Sequence, residues 1–134
     1  MALSVEDRLA VMELIALHGH LVDDGELHRL EELFTDDIVY DVTDLGHGSL
    51  IGVDAFRDAA IAMGARNPVG HHVTNTVLTD LGDGRVGARS KGIGINADGT
   101  SGSVTYEDLV VRAERGWRIS YRKVIARRTP LGAP

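Results

Sequence analysis

Residues 70–128 decide the fold, and their sequence is GHHVTNTVLTDLGDGRVGARSKGIGINADGTSGSVTYEDLVVRAERGWRISYRKVIARR. Long runs of alternating apolar and polar residues are interrupted here by three short segments rich in glycine, aspartate and asparagine. Such segments favour tight chain reversals, because these residues tolerate the backbone angles that a hairpin turn needs. The three turns are Leu81-Gly82-Asp83-Gly84, Asn96-Ala97-Asp98-Gly99 and Glu114-Arg115-Gly116. The stretch therefore predicts four consecutive antiparallel strands.

Three helical segments precede these strands. The first begins near residue 5, because Ser4 can cap the free amides of its first turn. Its apolar stripe, which faces a core or a cavity, contains Val11, Ile15, His18 and Val22. After a turn at Asp23-Asp24-Gly25, a shorter amphipathic helix carries Leu27, Leu30 and Phe34 and ends before Thr35. The third helix runs from Asp54 to about Met63.

A strand over 38–43 lies between the second and third helices. Its alternation places Val39, Asp41 and Thr43 on one face, and Ile38, Tyr40 and Val42 on the other. Helices followed by a meander of strands predict one α+β domain over residues 1–134, with 129–134 as a tail. We expect a cone-shaped barrel, in which one curved mixed or antiparallel sheet wraps over three N-terminal helices and leaves a pocket. Gly92 and Gly94 mark either strong bending or a bulge.

Composition excludes several kinds of chemistry. The 134 residues contain no cysteine, which rules out disulfides, thiolate metal sites and a cysteine nucleophile. The net charge of −6 disfavours a nucleic-acid partner. Charged residues interrupt the N-terminal apolar stretch, so we expect neither a signal peptide nor a membrane span, and a cytoplasmic protein. No metal site is expected, because His18 and His20 point apart on a helix.

Several separated motifs resemble one known family. They are His18-Gly-His-Leu-Val-Asp23-Asp-Gly25, Leu33-Phe34-Thr-Asp-Asp-Ile-Val-Tyr40-Asp41, Gly52-Val-Asp-Ala-Phe56, His71-His72-Val-Thr-Asn75 and Gly116-Trp117-Arg-Ile. In order and spacing they resemble the SnoaL-like branch, which is polyketide cyclase-like and dehydratase-like, of the nuclear transport factor 2-like superfamily. The resemblance covers nearly the whole chain. It implies a cystatin-like α+β cone.

The resemblance also implies candidate catalytic residues. Asp23 occupies the position of the aspartate that ends the first helix in the dehydratases and pairs with a pocket histidine, which His72 matches. His18 stands where many of these enzymes have a tyrosine that donates a hydrogen bond to a carbonyl or enolate oxygen. Asp41 falls where ketosteroid isomerase keeps its general base. Family members commonly pair through the outer face of the sheet, which implies a homodimer.

Residue chemistry agrees with an acid–base site but leaves alternatives open. A histidine oriented by an aspartate can take and give a proton near neutral pH. His71 and His72 point to opposite faces of a strand, so only one can enter the pocket. We choose His72, whose same-face neighbour Thr74 can bind substrate, and keep His71 with Asn75 as the alternative. A purely structural interpretation is also open, in which Asp23 caps a helix and His72 is a core or rim residue.

Tyrosines supply the remaining candidates. Tyr40 and Tyr106 could bind substrate through their hydroxyls, although both could simply fill the core. We expect a cofactor-independent acid–base enzyme for a hydrophobic carbonyl compound: a dehydratase-type lyase first, or a cyclase or isomerase. A non-catalytic ligand-binding or assembly domain is the alternative, and an epoxide hydrolase using Asp108, Arg89 and Arg112 is a further one. A homodimer would cover the outward members of a strand set that comprises Val86, Ala88, Val104, Leu109, Val111 and Ile119.

Overall fold

A computed structural model describes residues 3–132 of the chain. The α-helices are α1 (Val5–Asp23) and α2 (Val53–Met63), and short 3₁₀ helices span Leu27–Glu32, Thr43–Leu45 and Gly64–Arg66. The strands are β1 (Phe34–Asp41), β2 (Ser49–Ile51), β3 (Gly70–Gly82), β4 (Arg85–Ile95), β5 (Ser101–Ala113) and β6 (Gly116–Arg127). No helix within 3–132 is long and apolar enough to cross a membrane.

The six strands form one mixed sheet in the order β2-β1-β6-β5-β4-β3. Strands β3 to β6 pair antiparallel with their chain neighbours, which confirms the predicted meander. Strand β1 pairs parallel with β6 and antiparallel with β2, so the N-terminal part of the chain closes one side of the sheet. The helices pack against the inner face. The architecture is the predicted α+β cone.

The second predicted helix differs from the structure. Only Leu27–Glu32 is helical, and as a 3₁₀ helix, whereas Phe34 already belongs to β1. Phe34 pairs with Ile119 of β6, and Leu33 accepts a hydrogen bond from the Ile119 amide, so sheet pairing outweighs the local helical pattern. For the same reason β1 begins before residue 38 and ends at Asp41. The short strand β2 was not predicted.

Alternation along β1 decides which of its faces is inside. Ile38, Tyr40 and Val42 are buried in the core, together with Val11 and Ile15 of α1. Asp41 therefore lies on the outer face. In the set considered for a dimer surface, Val86, Ala88 and Ile119 are buried and Val104 packs against the core, so these four are not its outward members. Leu109 and Val111 alternate with buried residues of β5 and lie outside.

Gly92 permits a close approach between two strands. No register shift occurs at Gly92 in either of its pairings, so this glycine does not mark a bulge. A Cβ atom there would overlap the Tyr106 ring, which packs across β4 from β5. The absent side chain therefore lets Tyr106 enter the core. The irregularity in this part of the sheet lies instead in β3, at Asn75, whose φ is 57°.

Candidate active site

A cavity of about 380 Å³ opens between α1, α2, β1 and the start of β3. Its volume lies at the lower end of the range of roughly 300–1,000 Å³ found for small-molecule sites. Aliphatic and aromatic side chains form most of the wall, among them Val22, Val42, Leu45, Leu50, Phe56, Ala59, Ala60 and Met63. The polar lining is confined to His18, Tyr40, His47, Arg66, Asn67 and His71. The cavity suits a hydrophobic ligand that carries a few polar groups.

The last residue of α1, Asp23, holds His71 at the wall of this cavity. Asp23 Oδ1 lies 2.5 Å from His71 Nδ1, and Asp23 Oδ2 accepts a hydrogen bond of 2.9 Å from the His71 backbone amide. Both side chains are largely buried, with 19% and 18% of their surface exposed. The two bonds fix the carboxylate and the imidazole relative to each other. They leave His71 Nε2 free for a ligand.

The predicted partnership of Asp23 with His72 is therefore wrong, and the alternative, His71, is the partner. Strand alternation turns His71 inward with Val73, whereas His72 is exposed and pairs across the outer face with Ile93 of β4. Thr74 shares the outer face with His72 and does not line the cavity. The expectation that only one of the two histidines enters the pocket is correct.

Gly19 allows α1 to approach β3 closely enough for this contact. A Cβ atom on Gly19 would lie 2.7 Å from the backbone oxygen of His71, a distance that real Cβ contacts essentially never show. The helix backbone thus rests directly on the residue that Asp23 binds one turn later. Sequence reasoning missed this role, although the glycine stands inside the His18-Gly19-His20 motif.

His18 forms the deepest polar part of the cavity wall. Only 1% of its surface is exposed, and its Nε2 lies 3.3 Å from the Tyr40 hydroxyl. The rings of His18 and Tyr40 stack at 5.9 Å, and the His18 and His71 ring centroids lie 6.3 Å apart. The two imidazoles therefore lie next to each other at the cavity wall. His18 Nδ1 is buried and has no hydrogen-bond partner among residues 3–132.

Burial sets the protonation states of this pair. It holds the pKa of His18 well below its ordinary value, and the nearby positive charge of the Arg122 guanidinium adds to the effect. Burial also raises the pKa of the Tyr40 hydroxyl, and the Arg122 guanidinium only partly offsets this. His18 is thus a neutral imidazole and Tyr40 a neutral phenol at pH 7. Both can donate hydrogen bonds without carrying charge.

A buried ion pair lies behind the tyrosines. Arg122 Nε and Nη2 donate to the two oxygens of Asp108 at 2.7 and 2.8 Å, and both side chains are fully buried. The guanidinium stacks on Tyr106 at 4.2 Å, and burial raises the pKa of that tyrosine. Tyr106 therefore supports Arg122 and does not line the cavity, contrary to its predicted contact with substrate.

The burial of Arg122 could not be predicted from the sequence, because a shift in strand register determines it. Pairing of β5 with β6 changes register between Leu109 and Val110, and the bulge in β6 turns Arg122 inward. The other two arginines considered with Asp108 lie elsewhere. Arg112 binds Asp7 near the N-terminus of α1, and Arg89 is exposed on β4. The arrangement considered for an epoxide hydrolase is therefore not assembled from these residues.

Asp41 lies outside the cavity, so its predicted place in the catalytic site is wrong. Its Oδ1 accepts hydrogen bonds from the backbone and hydroxyl of Thr43, and these bonds lower its pKa. The adjacent Tyr40 points inward, so Asp41 must point outward. Within residues 3–132, no three His, Asp or Glu side chains converge to hold a metal ion.

Solved structures show the same fold. A provisionally named aromatic ring hydroxylase of Novosphingobium aromaticivorans is 26% identical, with a TM-score of 0.80 over 94% of this chain and 92% of that one. A nuclear transport factor 2-like protein with a cystatin-like fold, from the same organism, is 27% identical, with a TM-score of 0.77 over 96% and 87% of the two chains. A provisionally named scytalone dehydratase of that organism is 18% identical, with a TM-score of 0.74 over 98% and 99%.

Sequence comparison gives the family directly. No curated protein sequence matches the chain. Residues 3–123 match the model of the SnoaL-like domain, which spans all of α1 to β5 and most of β6. The chain belongs to the SnoaL-like domain family, within the nuclear transport factor 2-like superfamily.

Proposed function

We propose that this protein is a cofactor-independent acid–base enzyme that removes a proton next to the carbonyl group of a hydrophobic small molecule. The observation that carries the proposal is that His71, held by Asp23, lines an apolar cavity. The ring centroid of His18, the other buried imidazole of this wall, lies 6.3 Å from that of His71. A base on one side and neutral hydrogen-bond donors on the other are what enolisation requires.

His71 is the base in this proposal. Its Nδ1 bears the proton that Asp23 accepts, so Nε2 carries the lone pair that takes the α proton. The Asp23 carboxylate then stabilises the imidazolium that forms, as a buried aspartate does in other aspartate–histidine pairs. Removal of either side chain disables the same base.

His18 polarises the carbonyl, and the Tyr40 hydroxyl orients the His18 ring. When the Tyr40 hydroxyl donates to His18 Nε2, the ring proton of the neutral imidazole resides on Nδ1, which has no protein partner within 3–132. A substrate oxygen that reaches Nδ1–H accepts this hydrogen bond as it gains charge in the enolate. The donor is neutral, so it does not compete with His71 for the proton.

Dehydration follows when the substrate has a hydroxyl on the β carbon. His71 Nε2 takes the α proton, the α–β double bond forms, and the β carbon–oxygen bond breaks. The departing oxygen takes the same proton back from His71 and leaves as water, so the base is regenerated. A dehydratase is our first choice, while a cyclase or an isomerase would share the first step.

Hydrogen–deuterium exchange tests the proposal without knowledge of the natural substrate. Bicyclic ketones such as 1-indanone are incubated with the protein in D₂O, and loss of the α-proton signal is followed by NMR. We expect exchange that persists in EDTA and falls at least about 100-fold in His71→Ala. His72→Ala, one residue away on the outer face, is the matched control and should retain exchange. Ketones that bind in the cavity but never exchange would contradict the proposal and favour a ligand-binding domain.

We also propose that the protein is a homodimer formed through the outer face of β3 to β6. Exposed Val77 and Leu81 line a groove of about 490 Å³ there with Leu109 and Tyr121. Arg89 and Glu107, of opposite charge, are paired across the same face, so a two-fold axis can place each against its opposite in the other copy. Light scattering after size exclusion should give about twice 14.4 kDa. A mass of 14.4 kDa would rule the dimer out.

A further inference from the structure

The cavity has a positively charged mouth on a negatively charged protein. The chain carries a net charge of −6, yet no aspartate or glutamate among residues 3–132 lines the cavity. Arg66 lines it from the 3₁₀ helix that follows α2, and His47 lines it from the loop before β2. Arginine is always charged in proteins, so this mouth permanently attracts anions.

Three carboxylates on elements next to this region are bound to other groups. Asp23 is held by His71, and Asp44 accepts a hydrogen bond of 2.8 Å from the Ala126 amide. Asp98, which shares a neighbouring cleft with Arg66, is bonded to the Thr100 amide and hydroxyl at 3.0 and 2.7 Å. Among the described residues, Arg66 has no acidic group within ion-pair distance.

We propose that the ligand of this cavity is a ring ketone that carries a carboxylate, and that Arg66 and His47 bind the carboxylate at the mouth. The assignment of the ketone end rests on the proposed function. His18 and Tyr40 are 1% and 7% exposed, so the carbonyl lies deep, while Arg66 is exposed at the opening. The apolar wall between them covers the ring.

Local charge outweighs the negative charge of the whole protein here. Charges more than about 8 Å apart in solvent are largely screened at physiological ionic strength. An anion at the mouth therefore interacts mainly with Arg66 and His47, because none of the described acidic residues that give the chain its net charge of −6 lines the cavity. A guanidinium also matches a carboxylate through two parallel hydrogen bonds.

Calorimetric titration with two matched probes tests the inference. The probes are 1-oxoindane-5-carboxylate and 1-oxoindane-5-carboxamide, which have the same ring and ketone but differ in charge. We expect the carboxylate to bind the wild type about tenfold more tightly, and this preference to weaken as NaCl is added. Arg66→Gln should abolish the preference. Arg115→Gln, an exposed arginine in the β5–β6 turn, is the control and should keep it.

The same titration separates this inference from the proposed function. His71→Ala should retain the carboxylate preference, because the base is not part of the anion site. A preference for the carboxylate without any α-proton exchange would leave the anion site intact and contradict only the enzyme. Equal affinities for the two probes, no detectable binding of the carboxylate, or an unchanged preference in Arg66→Gln would each overturn the anion site.

Discussion

Replacing Gly19 with alanine tests how strictly the fold positions the base. The added Cβ would lie 2.7 Å from the His71 backbone oxygen, whereas ordinary contacts begin near 3.4 Å, so helix and strand must separate by about 0.7 Å. Asp23 lies one turn further along the same helix and moves with it. A separation of this size would lengthen its 2.5 Å contact with His71 Nδ1 to about 3.2 Å and its 2.9 Å bond with the His71 amide to about 3.6 Å. The second distance is no longer a hydrogen bond.

Catalysis should suffer more than stability in Gly19→Ala. Overpacking at one site costs about 1–3 kcal/mol, which a domain of this size can tolerate. Misplacing a catalytic group by about 1 Å can lower the rate by about 100-fold. We therefore expect a folded variant whose rate of α-proton exchange falls about 10-fold to 100-fold while its affinity for the ketone changes little.

The assay compares exchange rate with ketone affinity in the same samples. Gly102→Ala is the matched control, because a Cβ at Gly102 meets nothing within 4 Å. NMR of the His71 ring should also show that the short hydrogen bond to Asp23 is weakened in Gly19→Ala only. A folded Gly19→Ala protein with wild-type exchange and an intact His71–Asp23 signal would refute the role assigned to Gly19.

Three further changes probe the buried polar groups. Burial keeps the pKa of His18 below its ordinary value of 6.5. As pH falls below about 6.5, His18 is therefore protonated in the unfolded chain but stays neutral in the native state. The free energy of unfolding, measured with urea, should then drop by up to about 1.4 kcal/mol per pH unit, a component that His18→Gln lacks. Tyr40→Phe should slow exchange about tenfold, and unchanged exchange would exclude its hydroxyl from the reaction. Arg122→Met should lower the free energy of unfolding by about 3–5 kcal/mol, because it leaves the buried Asp108 carboxylate without a partner. The double variant with Asp108→Leu should recover much of this stability, and equal losses in the two variants would argue against a coupled pair.

Local sequence signals predicted most of the fold. The Ser4 hydroxyl oxygen caps α1 by accepting a 3.0 Å hydrogen bond from the Asp7 amide, and the glycine-containing turns delimit the strands of the meander. Phe34 was misassigned because its partner, Ile119, lies far along the chain. Local spacing cannot reveal a pairing of that kind, since the apolar periodicity around Leu30 suits a helix equally well.

The site was predictable in its chemistry but not in its register. An aspartate at the end of α1 and a histidine at the start of β3 were both expected, and the structure brings them together. Which of His71 and His72 faces inward depends on how β3 is aligned with β4, where His71 lies opposite Gly94. Likewise, the bulge in β6 decides that Arg122 is buried, and bulges leave only a weak trace in sequence.

A double-mutant cycle on Asp23 and His71 measures whether these two side chains act as one base. Exchange rates of 1-indanone are measured for the wild type, Asp23→Asn, His71→Ala and the double variant, with bound ketone verified in each. Because the two side chains act as one base, we expect each single variant to lose nearly all exchange and the double variant to lose little more. Strictly additive losses, or exchange that survives His71→Ala but disappears in His72→Ala, would contradict it.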